Sequence, residues 1–168
     1  MINISLPDGS VRSFDKPVSG AEIAAAIGPG LAKAALALRI DGKMVDLAHV
    51  VDGDAKIGIV TARDPEALEL LRHDAAHVLA QAVQELYPGT QITFGPSTED
   101  GFYYDFVRTE PFSPDDFARI EQRMAEIVDR NLPIVREVWD RAKIKDYFVQ
   151  HGEKFKAEWA DELPKDEI

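Results

Sequence analysis

No cysteine occurs among the 168 residues, which excludes disulfide frameworks and thiolate metal sites and leaves only His, Asp or Glu to hold a metal. The same absence agrees with a reducing compartment. Long apolar runs are missing too. No window approaches the roughly 18 apolar residues of a membrane span, and the opening MINISLPDGS has no basic stretch followed by an apolar one. Nothing addresses the chain to export or to a bilayer, so a cytoplasmic location is expected. Basic residues are scarce: 19 Lys and Arg against 30 Asp and Glu give a formal charge of −11. They form no cluster, which argues against an autonomous nucleic-acid binder, because phosphate contact is supplied mainly by grouped Lys and Arg. An acidic module can still belong to a larger RNA-binding enzyme whose other domains hold the nucleic acid. Repeats and low-complexity segments are also absent.

The hydrophobic share of 45% is enough for one ordinary core or two small ones. Ile2 to Leu6 alternates apolar and polar, Pro7-Asp8-Gly9 supplies a turn, and Val11 to Phe14 resumes the alternation, which predicts a β-hairpin. Ser19-x-x-Glu22 is a capping box before AEIAAAI, and Gly28-Pro29-Gly30 is expected to stop that helix. Ala35 to Ile40 and Lys43 to Leu47 flank Asp41-Gly42, a hairpin turn, and Lys56 to Val60 reads as a last strand. Hairpin, helix, hairpin and strand in about 60 residues suit one helix on one mixed sheet.

Asp64-Pro65 pairs a helix cap with a first-turn proline, and the helix runs on to Tyr87-Pro88-Gly89. A domain boundary is therefore expected at residues 61 to 64. Leu68, Leu71, Ala75, Val78, Ala82 and Leu86 recur at steps of three and four and are expected to form the core stripe. Thr90 to Phe94, Gly101 to Val107 and Ile134 to Trp139 read as strands. Pro114 to Asp129, Lys143 to Gln150 and the stretch after Glu153 read as helices. The whole is an α+β pattern with antiparallel pairing.

His73-Asp74-Ala75-Ala76-His77 sets two imidazoles at i and i+4, about 5 to 6 Å apart at Cβ on a helix. Such a pair can share a metal, a water or a substrate, and solvent-facing chance is the competing account. Phe102, Tyr104 and Phe106 share one face of their strand and Tyr103 and Asp105 the other; packing explains most of these aromatics, though a tyrosine hydroxyl can line a polar pocket. Lys154 and Lys156 read on their own as surface charges. As zinc ligands His73 and His77 fall short of the usual three or four protein donors.

Taken together, LPDGS at 6–10, IGPGLAKA at 27–34, RHDAAH at 72–77, GP at 95–96, GFYYDF at 101–106 and GEKFK at 152–156 resemble stretches of bacterial-type threonyl-tRNA synthetases, in the same order and over nearly the whole chain. The resemblance implies a TGS domain of β-grasp fold at residues 1–62 and, at 63–168, the N-terminal part of the domain that hydrolyses serine wrongly attached to threonine tRNA. It implies catalytic roles for His73, His77 and Lys156 and a substrate pocket role for Tyr104. For the complete enzyme it implies aminoacylation of threonine tRNA with ATP, magnesium and zinc in a catalytic domain outside this sequence, and a homodimer that binds tRNA and no membrane. The family continues with a Cys-x-x-x-His motif that this sequence lacks, so a half-built cleft, inactive on its own, is expected. The alternative is a stand-alone TGS-type regulatory module or one that interacts with protein or RNA.

Overall fold

The alternating start of the chain forms β1 (Ile2–Ser5) and β2 (Val11–Phe14), paired antiparallel from Ile2 opposite Phe14 to Ser5 opposite Val11. After the short β3 (Val18–Ser19), Ser19 caps α1 (Gly20–Ile27): its hydroxyl accepts from the Glu22 amide, and the Glu22 carboxylate accepts from the Ser19 amide at 2.8 Å. Gly28 ends α1, but Pro29 does not prolong the stop. It occupies the first turn of a further helix, α2 (Pro29–Ala34), where its missing amide hydrogen is no loss. β4 (Ala35–Ile40) and β5 (Lys43–Val45) form the hairpin about Asp41-Gly42, and β7 (Ala55–Thr61) lies parallel to β1 and antiparallel to β4. The sheet order is β2-β1-β7-β4-β5. A second, two-stranded ribbon pairs β3 with β6 (Val50–Val51); two residues per strand are too short for alternation to announce.

Ile4, Ile23, Leu38 and Ile57 are buried from water and join α1 to the sheet. Each such side chain contributes about 1.5–3 kcal/mol by its removal from solvent. This is an α+β architecture, described in a computed structural model that covers residues 1–135 and 137–163.

Two compact units divide the chain, Met1–Leu70 and Leu71–Ile168. The long helix α3 (Pro65–Leu86) starts in the first, where Ala67 and Leu70 pack with Ala37 and Val60. The Asp64 carboxylate accepts from the amide and hydroxyl of Thr61 at 2.7 and 2.9 Å, closing the turn before the helix. In the second unit the covered face of α3 is not the expected stripe. Ala82 is buried and Val78 and Leu86 half-buried, but Leu68 and Leu71 are exposed and Ala76, Ala80 and Val83 take their place. Large side chains set the expected centre, whereas small alanines line the face against which other elements close.

β8 (Gln91–Ile92) and β9 (Phe106–Val107) pair antiparallel. Thr93 and Asp105 extend the ladder by backbone bonds, and Ser97 bridges Phe102. Regular pairing is thus shorter than the alternation over 90–94 and 101–107 predicts. Helix α4 (Pro114–Asp129) brings Ile120, Met124 and Ile127 onto Ala82 and Val83, and the Glu85 carboxylate of α3 accepts from Arg123 and from both terminal nitrogens of Arg130. No strand forms among the described residues of Ile134–Trp139. Ile134 is 95% exposed and Val135 and Val138 are nearly as bare, so the alternation there has neither a ladder partner nor a covered face. Arg136 lies outside the described residues, as does the tail after Leu163 in which DELPKDEI ends. Two helices close the described chain, α5 (Arg141–Gln150) and α6 (Lys154–Glu162).

Candidate functional site

His73 and His77 sit one turn apart on α3, each exposed on one side, with buried Ala76 and Ala80 beside them. Their Nε2 atoms are 3.0 Å apart and their rings meet edge to face, centroids 4.6 Å apart. One nitrogen must therefore donate and the other accept. Partial burial holds the His77 pKa below the usual imidazole range, and the neighbouring His73 and Lys156 push the same way against Asp74.

Opposite the rings, the end of α5 redirects the chain. Gly152 at φ +73° adopts the left-handed conformation that a side chain disfavours. The Gly152 amide donates to Val149 O and the Glu153 amide to Phe148 O, the pairing that ends a helix and turns the chain sharply. Three residues later Lys156 emerges from the first turn of α6. Its ammonium stands 3.6 Å from Glu153 Oε2 and 5.7 Å from the centre of the Phe148 ring. Glu153 in turn accepts from Gln84 Nε2 of α3 at 2.7 Å.

The third wall comes from the segments around β8 and β9. Tyr104 stacks on Phe106, centroids 5.2 Å apart, and Phe106 belongs to the core beneath α3. The ring can lie there because residue 95 is glycine: a Cβ on Gly95 would fall 2.0 Å from Tyr104 Cδ2. Burial, with help from Glu153, raises the Tyr104 pKa, so its hydroxyl stays protonated and able to donate. Arg72, beside His73, donates to the carbonyls of Thr98 and Glu99 at 3.1 and 2.7 Å and holds the loop that follows Gly95-Pro96.

These walls enclose a cleft of about 620 Å³ that is lined by His73, His77, Tyr104 and Lys156 together, with Phe94, Phe148, Phe155 and Trp159 as its apolar surfaces. Phe94 and Trp159 meet edge to face, centroids 6.3 Å apart, and both are at least half exposed. The four residues singled out in the sequence thus share one concavity. Sequence reading missed Glu153 and the aromatic walls. The i, i+4 spacing of Phe155 and Trp159 and the i, i+3 spacing of Glu153 and Lys156 were the available signals. Among the described residues, no group of three or more His, Asp or Glu could hold a metal, so the histidine pair has no third donor.

Residues 2–61 match the family of the TGS domain. The matched residues are those of β1–β7 described above, and similarity to known proteins extends well past them. The chain is 64% identical over 167 residues to a threonine–tRNA ligase of Rhodospirillum rubrum, 61% identical over 168 residues to one of Thiobacillus denitrificans and 60% identical over 164 residues to one of Acidiphilium cryptum. The alignments cover 98–99% of this chain and 26% of each relative. The chain therefore spans about a quarter of the length of the curated relatives it matches. No helix among the described residues is long and apolar enough to cross a membrane.

Proposed function

We propose that this chain is the corresponding quarter of a threonine–tRNA ligase, and that residues 63–168, which include the second unit, are the N-terminal part of a domain that removes serine from wrongly charged threonine tRNA. The observation that carries the reading is the convergence of His73, His77, Tyr104 and Lys156 on one cleft. The similarity runs through both units and over nearly every residue, which favours a ligase over a free-standing TGS module. The complete ligase binds tRNA and ATP, takes magnesium and zinc in parts outside these residues, acts as a homodimer and works in the cytoplasm.

Physical chemistry supplies the reason for such a site. Threonine exceeds serine by one methyl group, and a difference of that size is worth only about 1–3 kcal/mol of selection in an apolar pocket. A second site that admits the smaller product and hydrolyses it supplies the rest. The reaction is attack of water on the carbonyl carbon of an aminoacyl ester. Water loses a proton, the bond from that carbon to the ribose oxygen breaks, and the ribose oxygen takes up a proton as serine departs.

His73 positions or deprotonates the water, or holds the terminal ribose hydroxyls; a base so placed contributes roughly 10²–10⁴-fold. His77 orients His73 through the Nε2 contact, and its depressed pKa keeps the pair from charging twice. The Lys156 ammonium stabilises the negative oxygen that develops on the carbonyl. Tyr104 contributes a protonated hydroxyl, and the aromatic walls exclude water from one side of the ester and strengthen each polar contact.

The test is titration of the isotopically labelled chain with an adenosine bearing serine in a non-hydrolysable 3′-amide linkage. Chemical-shift changes centred on His73, His77, Tyr104 and Lys156 are expected. Changes confined to the TGS unit, or none at millimolar ligand, would overturn the reading.

A further inference from the structure

Glu153 is the acid that ties the walls of the cleft together. It stands at the start of α6, immediately after the left-handed Gly152, and its side chain retains only 15% exposure. One carboxylate oxygen accepts at 2.7 Å from Gln84 Nε2, which lies two turns beyond His77 on the same helix. The other lies 3.6 Å from Lys156 Nζ, and the same charge acts on Tyr104. Two of the residues assigned to chemistry, Lys156 and Tyr104, thus feel the charge of a side chain that does not itself line the cleft.

Long, unbranched lysine carries about 2 kcal/mol of rotamer entropy, and the Phe148 ring offers Lys156 a broad attractive face and no fixed seat. The neighbouring Lys154 has a ring contact of the same kind, 6.0 Å from the centre of Phe155, but its carboxylate partner is exposed. Its side chain is 72% exposed and meets Glu158 at 3.9 Å. A carboxylate fixed from behind by an amide of the histidine helix removes that freedom from Lys156.

We propose that Glu153, anchored by Gln84, is a positioning residue that holds the Lys156 ammonium at a fixed distance from the histidine pair. The inference rests on the proofreading site proposed above. Glu153 does not touch the ester; it acts through Lys156.

Two measurements test it. In the full-length ligase carrying this chain, deacylation of seryl-tRNA is followed for E153Q, E153D, K156A and E153Q/K156A, with K154M as control. E153Q keeps the shape and an acceptor for Gln84 but loses the charge. A fall of about tenfold or more in kcat with KM little changed is expected for E153Q, a smaller fall for E153D, and no further loss when E153Q is added to K156A. K154M is expected to match the parent. Independent losses that multiply in the double variant would overturn the positioning role. Full activity in K156A would instead overturn the proofreading reading itself, so the two failures are distinguishable.

The second measurement needs no turnover. The His77 ring is titrated by NMR in the 168-residue chain with and without K156M, in the parent and in E153Q. If Glu153 fixes the ammonium near His77, removing the lysine raises the His77 pKa in the parent and changes it much less in E153Q. An equal change in both backgrounds contradicts the proposal.

Discussion

His73 and His77 face one another through their Nε2 atoms at 3.0 Å, a contact that only one proton can occupy. Two protonated rings would set two donors head to head, so the pair resists its second charge. The His77 ring is expected to titrate below the ordinary imidazole value, and H73A to raise its pKa by removing the neighbouring charge. The sign of the stability effect follows. With the folded pKa depressed, the unfolded chain binds more protons between that pKa and about 6.5. Stability is therefore full above the unfolded value and falls as pH drops through this window. NMR titration of the two rings checks the first statement, and denaturant midpoints across the same pH range check the second.

Gly95 is required by the ring of Tyr104, since the added Cβ of alanine would sit 2.0 Å from Cδ2. G95A should cost about 1–3 kcal/mol of stability, the usual penalty for overpacking. Added to Y104A, the same substitution should cost almost nothing. Urea unfolding of the two single variants and the double variant measures this, and additive losses would contradict the assigned clash.

Glu85 accepts hydrogen bonds from Arg130 and Gln81 as well as from Arg123, and these hold its pKa down at about 2, Arg130 contributing most. Its contribution to stability is present above the unfolded carboxylate value of about 4.3. It is lost as pH falls through about 2. The gap in Tm between the parent and E85Q should be widest above pH 5 and shrink on acidification. A gap independent of pH would show that the clamp between α3 and α4 is not ionic.

The apolar residues at 132–138 make the opposite prediction. Leu132 is 64%, Ile134 95% and Val138 72% exposed, so serine at Ile134 should alter the stability of this chain by no more than about 0.5 kcal/mol. A larger loss, measured by thermal unfolding, would mean that the segment is covered in solution.

Much of the fold was written locally. Ser19-x-x-Glu22, Asp41-Gly42 and the Pro114 start of α4 are signals a few residues long, and each produced the expected element. Three features depended on distant partners and could not be read that way. The covered face of α3 is set by which elements close on its alanines, β3 and β6 are too short to show a period, and the alternation at Ile134–Trp139 lacks a neighbour among the described residues. The candidate site shows the same division. The i, i+4 histidines were plain in sequence, and resemblance to a family pointed to Tyr104 and Lys156. Glu153 stayed hidden because its meaning lies in Gln84, 69 positions away.

Deacylation of seryl-tRNA by the full-length ligase carrying this chain, compared for the parent, H73A and K156A, tests the central claim most directly. A loss of about 100-fold or more in each variant, with threonine attachment unchanged, is the predicted result; undiminished deacylation in either variant would contradict it.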